Sequence, residues 1–143
     1  MKAVRVIMAG IVVTIFQAFV GAVTCGGIFN WVYSLEPVNV WKPMEGCPGM
    51  GFIIAGLLLN VILAFVYAMI NKGIPGKNKC VKGCVFGFIV FAVGTLPGML
   101  ATYTFMTVAT TVVIYWTLVD LIKRPIEGMI IATICGDKFS KQN

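Results

Sequence analysis

Histidine occurs nowhere in the 143 residues, and acidic side chains occur only five times. The first absence removes the usual axial ligand of haem b, the commonest zinc ligand and the default general base. No CxxCH motif is present either, which excludes covalently attached haem. Charge of either sign is scarce. Asp, Glu, Lys and Arg make up 11% of the chain, against roughly a quarter in soluble domains. With 59% hydrophobic residues, the chain is too apolar for a soluble domain, and most of it must face lipid or other helices. No catalytic or cofactor motif is found, so the expectation is a protein that is not an enzyme and holds no cofactor or metal.

What is present is a set of long apolar runs. Residues 50–70 carry no charge, and Asn60 is the one strongly polar side chain among them. A hydrocarbon core about 30 Å thick needs roughly 20 apolar residues of helix. Further runs cover about residues 6–33, 81–100 and 107–124, the last with an apolar continuation to Cys135. The expected fold is therefore all-α: a polytopic, four-transmembrane-helix bundle forming a single transmembrane domain over residues 1–143. The first run continues past Cys25 to Tyr33. That exceeds the 7 to 15 residues of a signal-peptide apolar region, so it is read as a retained span.

The loops set the expected orientation. Residues 34–49 carry Glu36, Lys42 and Glu45 together with Pro37, Pro43 and Pro48, whereas residues 71–83 carry Lys72, Lys77, Lys79 and Lys82 and no acid. Lysine-rich short loops stay in the cytoplasm, which predicts both termini inside and a multi-pass protein of a cell's inner or plasma membrane. Trp31, Tyr33, Trp41 and Tyr103 then fall near the outer interface, where amphipathic rings are enriched.

Small and polar residues recur at helical spacing within the runs. Gly10, Thr14, Gln17, Gly21 and Cys25 form one stripe, and Gly56, Asn60, Ala64 and Tyr67 another. Gly83 and Gly87 make a GxxxG, followed by Gly94 and Gly98, and the last run offers Thr110, Thr117 and Asp120. Such faces mark helix–helix contacts in lipid, with Gln17 and Asn60 expected to bond to each other or to backbone inside the bundle. The sharper alternative is a hydrated path for an ion or small solute. Leu96-Pro97-Gly98 is expected to end or kink the third helix at the outer interface.

Asp120, Lys123, Arg124 and Glu127 lie at i, i+3, i+4 and i+7, one helical face if the helix continues through Pro125. Counted from Thr107, Asp120 is about 20 Å and Arg124 about 26 Å along the helix. The expectation is that the four anchor the cytoplasmic end and, with the apolar residues 126–135, offer a docking surface for a partner or for lipid headgroups. Of the five cysteines, Cys25 and Cys47 fall toward the outer side and can pair if that compartment is oxidising, while Cys80, Cys84 and Cys135 fall toward the reducing cytoplasm. Three thiols without histidine make an incomplete metal site.

The run Lys82-Gly83-Cys84-Val85-Phe86-Gly87-Phe88, then Leu96-Pro97-Gly98, Thr102-Tyr103 and a last helix with Tyr115-Trp116 ending near Gly128 resembles small four-helix prokaryotic integral membrane proteins of unassigned function. The resemblance implies four spans and no chemistry. The charged stretch from Asp120 to Glu127 departs from the more apolar final helix it implies. The expected function is association: an accessory or structural subunit of a larger membrane complex, or a homo-oligomer. Its partners are the lipid bilayer and other membrane subunits or copies of itself, with no nucleic acid. The alternative is a small transporter or channel working through Gln17, Asn60 and Asp120.

Overall fold

The computed structural model describes residues 2–37, 40 and 49–136. Its regular structure is all helical, and no strand occurs among the described residues. Helix α1 spans Lys2–Val23, α2 Met50–Ile70, α3 Lys79–Val90, α4 Leu96–Phe105 and α5 Thr110–Cys135. A wide π-type turn at Thr24–Ile28 and a tight 3-10 turn at Asn30–Ser34 carry on from α1, and a second π-type turn at Phe91–Thr95 joins α3 to α4. Three continuous helical segments are long and apolar enough to cross a bilayer: Ala3–Ile28, Met50–Ile70 and Lys79–Phe105.

Helix α5 differs from these three. It has 26 residues, about 39 Å of helix at 1.5 Å per residue, and it carries four ionisable side chains in its middle. Pro125 lies inside it without ending it, and the apolar residues 126–135 continue the same helix. Leu96-Pro97-Gly98 likewise does not end the third run. Pro97 follows directly on the π-type turn, whose widened backbone accommodates the proline ring and its missing N–H. The π turn just before it takes up the backbone change, and the segment runs on to Phe105.

Local chemistry explains the turn between α2 and α3. Asn78 caps α3 by accepting a hydrogen bond from the Val81 N–H at 2.8 Å. Lys82 Nζ donates to the Asn71 carbonyl at 3.1 Å, placing a cation on the orphan carbonyls at the end of α2. Gly76 has φ +153°, and a Cβ there would lie 2.9 Å from Lys82 Cγ, so both conformation and space require glycine.

Two glycine seams bring the helices together. At the α3–α5 crossing, a Cβ on Gly83 would lie 2.5 Å from the Gly128 carbonyl oxygen. One on Gly87 would lie 2.6 Å from Pro125 Cα and overlap the Arg124 carbonyl. At the α1–α2 crossing, a Cβ on Gly10 would meet Val61 Cγ2 at 2.5 Å. Backbones in such contact gain dispersion along their whole length, the main attraction open to helices in lipid. Helix α5 thus lies between α3 and α1, and α1 pairs with α2.

Two apolar clusters close the bundle lengthwise. Near the residue 71–78 turn, Val6, Ala9, Val13, Ala64, Tyr67, Phe86, Ile131, Ala132 and Cys135 pack together. At the far end Val32, Val112 and Tyr115 pack with Phe29, Tyr33 and Trp116 around them. Helix α2 meets α3 through Tyr67 and Phe86, whose rings stand edge-on with centroids 5.1 Å apart. Farther along, a cleft separates α2 from the α3–α4 segment.

Candidate functional site

Between the two apolar clusters lies a belt of polar side chains drawn from α1, α2 and α5. Gln17 and Asn60 form a reciprocal amide pair. Asn60 Nδ2 donates to Gln17 Oε1 at 2.9 Å, and Gln17 Nε2 donates to Asn60 Oδ1 at 3.3 Å. The second Asn60 N–H goes to Thr14 Oγ1 at 3.0 Å, and the Thr14 hydroxyl itself donates to the Gly10 carbonyl at 2.8 Å. Gln17 Nε2 also donates to Glu127 Oε1 at 2.9 Å. That bond links α1 to the ionic part of the belt on α5.

Glu127 is fully buried. Its other carboxylate oxygen, Oε2, accepts from Arg124 Nη1 at 2.8 Å. Asp120 continues the chain: it pairs with Lys123 Nζ at 2.5 Å, lies 3.8 Å from Arg124 Nε, and accepts from the Thr95 hydroxyl at 3.2 Å. The four charges sum to zero, two carboxylates against two cations. A buried carboxylate is tolerable on these terms, because removing its counter-ion leaves a desolvated charge at a cost of about 3–5 kcal/mol. Along α5 the charges occupy the middle: Asp120 is about 15 Å and Glu127 about 26 Å from Thr110, on a helix of about 39 Å.

The belt meets a cleft on one side. The cleft between α2 and the α3–α4 segment has a volume of about 440 Å³, and its lining includes Leu59, Asn60, Gly94, Thr95, Asp120 and Arg124. Its walls are apolar and its polar lining is the edge of the belt. Cβ atoms added at Gly94 or Gly98 would meet nothing within 4 Å, so these glycines hold the cleft open.

Of the residues singled out from sequence, Gln17 and Asn60 come together with Glu127, and Gly83 and Gly87 form the α3–α5 seam. Gly21 and Gly94 do not lie at a helix contact, since a Cβ on either meets nothing within 4 Å. Asp120, Lys123, Arg124 and Glu127 do share one face of α5, but that face is turned into the bundle. Residues 126–135 are covered in large part by the chain itself, with Glu127, Gly128, Ile131, Ala132 and Cys135 buried. Cys25 Sγ lies 3.7 Å from the Tyr115 hydroxyl; Cys47, its proposed disulfide partner, lies outside the described residues, as do Trp41 and the tail lysines Lys138 and Lys141. No group of three or more His, Cys, Asp or Glu side chains able to hold a metal occurs among the described residues.

Three roles went unread in the sequence. Gly128 is half of the α3–α5 seam, and the GxxxG at Gly83 implies some small partner on a facing helix. Thr95 reaches Asp120 from the π turn, a register that an ordinary helical count does not give. Glu127 serves Gln17, across the bundle, as well as its own helix. Outside the belt, the Trp116 indole donates to the Tyr33 hydroxyl at 2.9 Å. Comparison with protein-family models, with curated proteins and with solved structures finds no match to this chain.

Proposed function

We propose that this is a non-catalytic integral protein of a cell's inner or plasma membrane, with four crossings and both termini in the cytoplasm. It acts by association, as an accessory subunit of a larger complex or as a homo-oligomer. The observation that carries this reading is the internal charge balance of the polar belt and its apolar flanks. Its charges cancel within the chain, and it is flanked at both ends by apolar clusters. A permeation path needs polar or hydrated surface from one side to the other, and both clusters interrupt it. The belt then serves to lock the register of α1, α2 and α5, the best-attested use of buried polar groups. Counting α5 as the fourth crossing follows from its length and its central place: intramembrane charges face the bundle interior and pair with one another. The lysines of the residue 71–78 turn support a cytoplasmic side for that end.

Purification in mild detergent tests the reading. A defined larger complex or a stable oligomer is the expected result. Asp120→Asn and Arg124→Gln separate it from transport: weakened assembly is expected. Intact assembly with abolished flux of an ion or solute through reconstituted vesicles overturns the association reading in favour of the transporter.

A further inference from the structure

The cleft between α2 and the α3–α4 segment plays no part in closing the belt, yet two features keep it open and chemically equipped. Gly94 and Gly98, one helical turn apart, leave space where any side chain would intrude. Arg124 lines the cleft with its side chain about a quarter exposed. Only Nη1 of its guanidinium makes a hydrogen bond within the described residues, to Glu127; Nε is buried with no acceptor in hydrogen-bonding range. A guanidinium has five N–H donors; with Nε buried and Nη1 bonded to Glu127, Nη2 is left without a bond inside the described residues on a side chain that lines the cleft.

We propose that the cleft binds a single-chain, uncharged lipid whose head carries a carbonyl oxygen, the oxygen accepting from Arg124 and the chain lying between α2 and α4. Size selects a lipid over a protein segment. About 440 Å³ falls within the roughly 300–1,000 Å³ of small-molecule sites, whereas a partner helix is about 10 Å across before it makes any contact. The walls select an acyl or similar chain, since Leu59, Ile62, Leu63 and Val66 line one side and Val90 and Met99 the other. The charges select a neutral head. The belt sums to zero, so an anionic head meets Asp120 and a cationic head meets Arg124 in the same space, each desolvated with no counter-charge to spare. An acceptor without charge uses the leftover donors and disturbs no ion pair. The proposal rests on the membrane location argued above and is independent of the association reading.

The test uses the full chain in phosphatidylcholine nanodiscs with three photoreactive probes of equal chain length: a monoacylglycerol, a fatty acid and an alkylamine. The monoacylglycerol is expected to label the peptides containing residues 59–66 and 90–99. Labelling is expected to fall about tenfold in Gly94→Leu and Gly98→Leu, the equivalent of about 1.4 kcal/mol. Both variants add bulk into open space, and an unchanged elution profile and melting temperature confirm that they fold. Gly21→Leu, also at an open position, is expected to label like the parent. Labelling that persists in both cleft variants, that favours the fatty acid or the amine over the ester, or that falls equally in Gly21→Leu overturns the proposal. Location and assembly are read separately, by cysteine accessibility and by elution volume, so a failure here is distinguishable from a failure of either.

Discussion

Glu127 and Arg124 show how a single side chain's surroundings decide its energetic role. The carboxylate of Glu127 has no exposure and is held by one amide and one guanidinium. Replacing Arg124 with Met leaves that carboxylate buried with only the Gln17 amide to answer it. A loss of about 3–5 kcal/mol in stability is expected, measured by denaturant titration in detergent. Glu127→Leu strands Arg124 less completely, because Asp120 lies 3.8 Å from Nε, and should cost less. The double variant is expected to be more stable than the sum of the single losses predicts, with a coupling of about 0.5–3 kcal/mol. Strict additivity would mean that the pair does not act as a pair. The two amides were legible in the sequence because each stands alone in an apolar run. The cross-bundle role of Glu127 was not, because its i−3, i−4 and i−7 neighbours on α5, Arg124, Lys123 and Asp120, offer a sufficient local explanation of its presence.

Glycine spacing fixes how the helices meet, and the same residue type does opposite things at different places. Gly87→Ala sets a methyl against the Arg124 carbonyl and Pro125 Cα. Both are backbone, so α3 and α5 must separate, and a loss of about 1–3 kcal/mol is expected. Gly94→Ala enters open space and should leave stability unchanged or raise it by up to about 1 kcal/mol, the propensity gain over glycine. Equal losses at the two positions in a thermal melt would remove the seam as the explanation. The existence and order of the long helices could be read from apolar run length alone, since nothing else satisfies so much backbone beside so many apolar side chains. The ends could not. The π turns at Thr24–Ile28 and Phe91–Thr95 have no signature in hydropathy, and Pro97 looks like a stop unless the turn before it is known. On sequence alone α5 can end near residue 124 or run on to Cys135, because Pro125 and the charges suggest a boundary; Gly87 and Gly128 make room for the helix to pass.

For the molecule as a whole, charge asymmetry and packing make one joint prediction. Cys80 and Cys84 are exposed at the start of α3, beside the lysine-bearing turn, while Cys135 is buried against the same end. A membrane-impermeant maleimide should therefore label Cys80 and Cys84 in inside-out vesicles and not in intact cells, and should spare Cys135 in both until the protein is denatured. Labelling of Cys80 from outside intact cells would reverse the orientation. The cleft and the link from the amide pair to Glu127 were not foreseeable at this level, because both depend on which helices are neighbours. No local pattern says that α2 pairs with α1 while standing clear of α4.

The central place of α5 also bears on the order in which the chain can be assembled. An ionisable residue at the centre of an isolated helix costs about 2.5–3.5 kcal/mol to insert, and α5 has four of them. In chain order α5 leaves the ribosome after α1 has brought Gln17 and α3 has brought Gly83 and Gly87. On the four-crossing reading proposed above, the first three segments offer α5 a groove lined by Gln17, Gly83 and Gly87, so that the charged helix would enter the bilayer by joining protein and not by dissolving in lipid. A chain truncated after Phe105 would leave that groove unfilled, a natural substrate for the membrane's quality-control proteases.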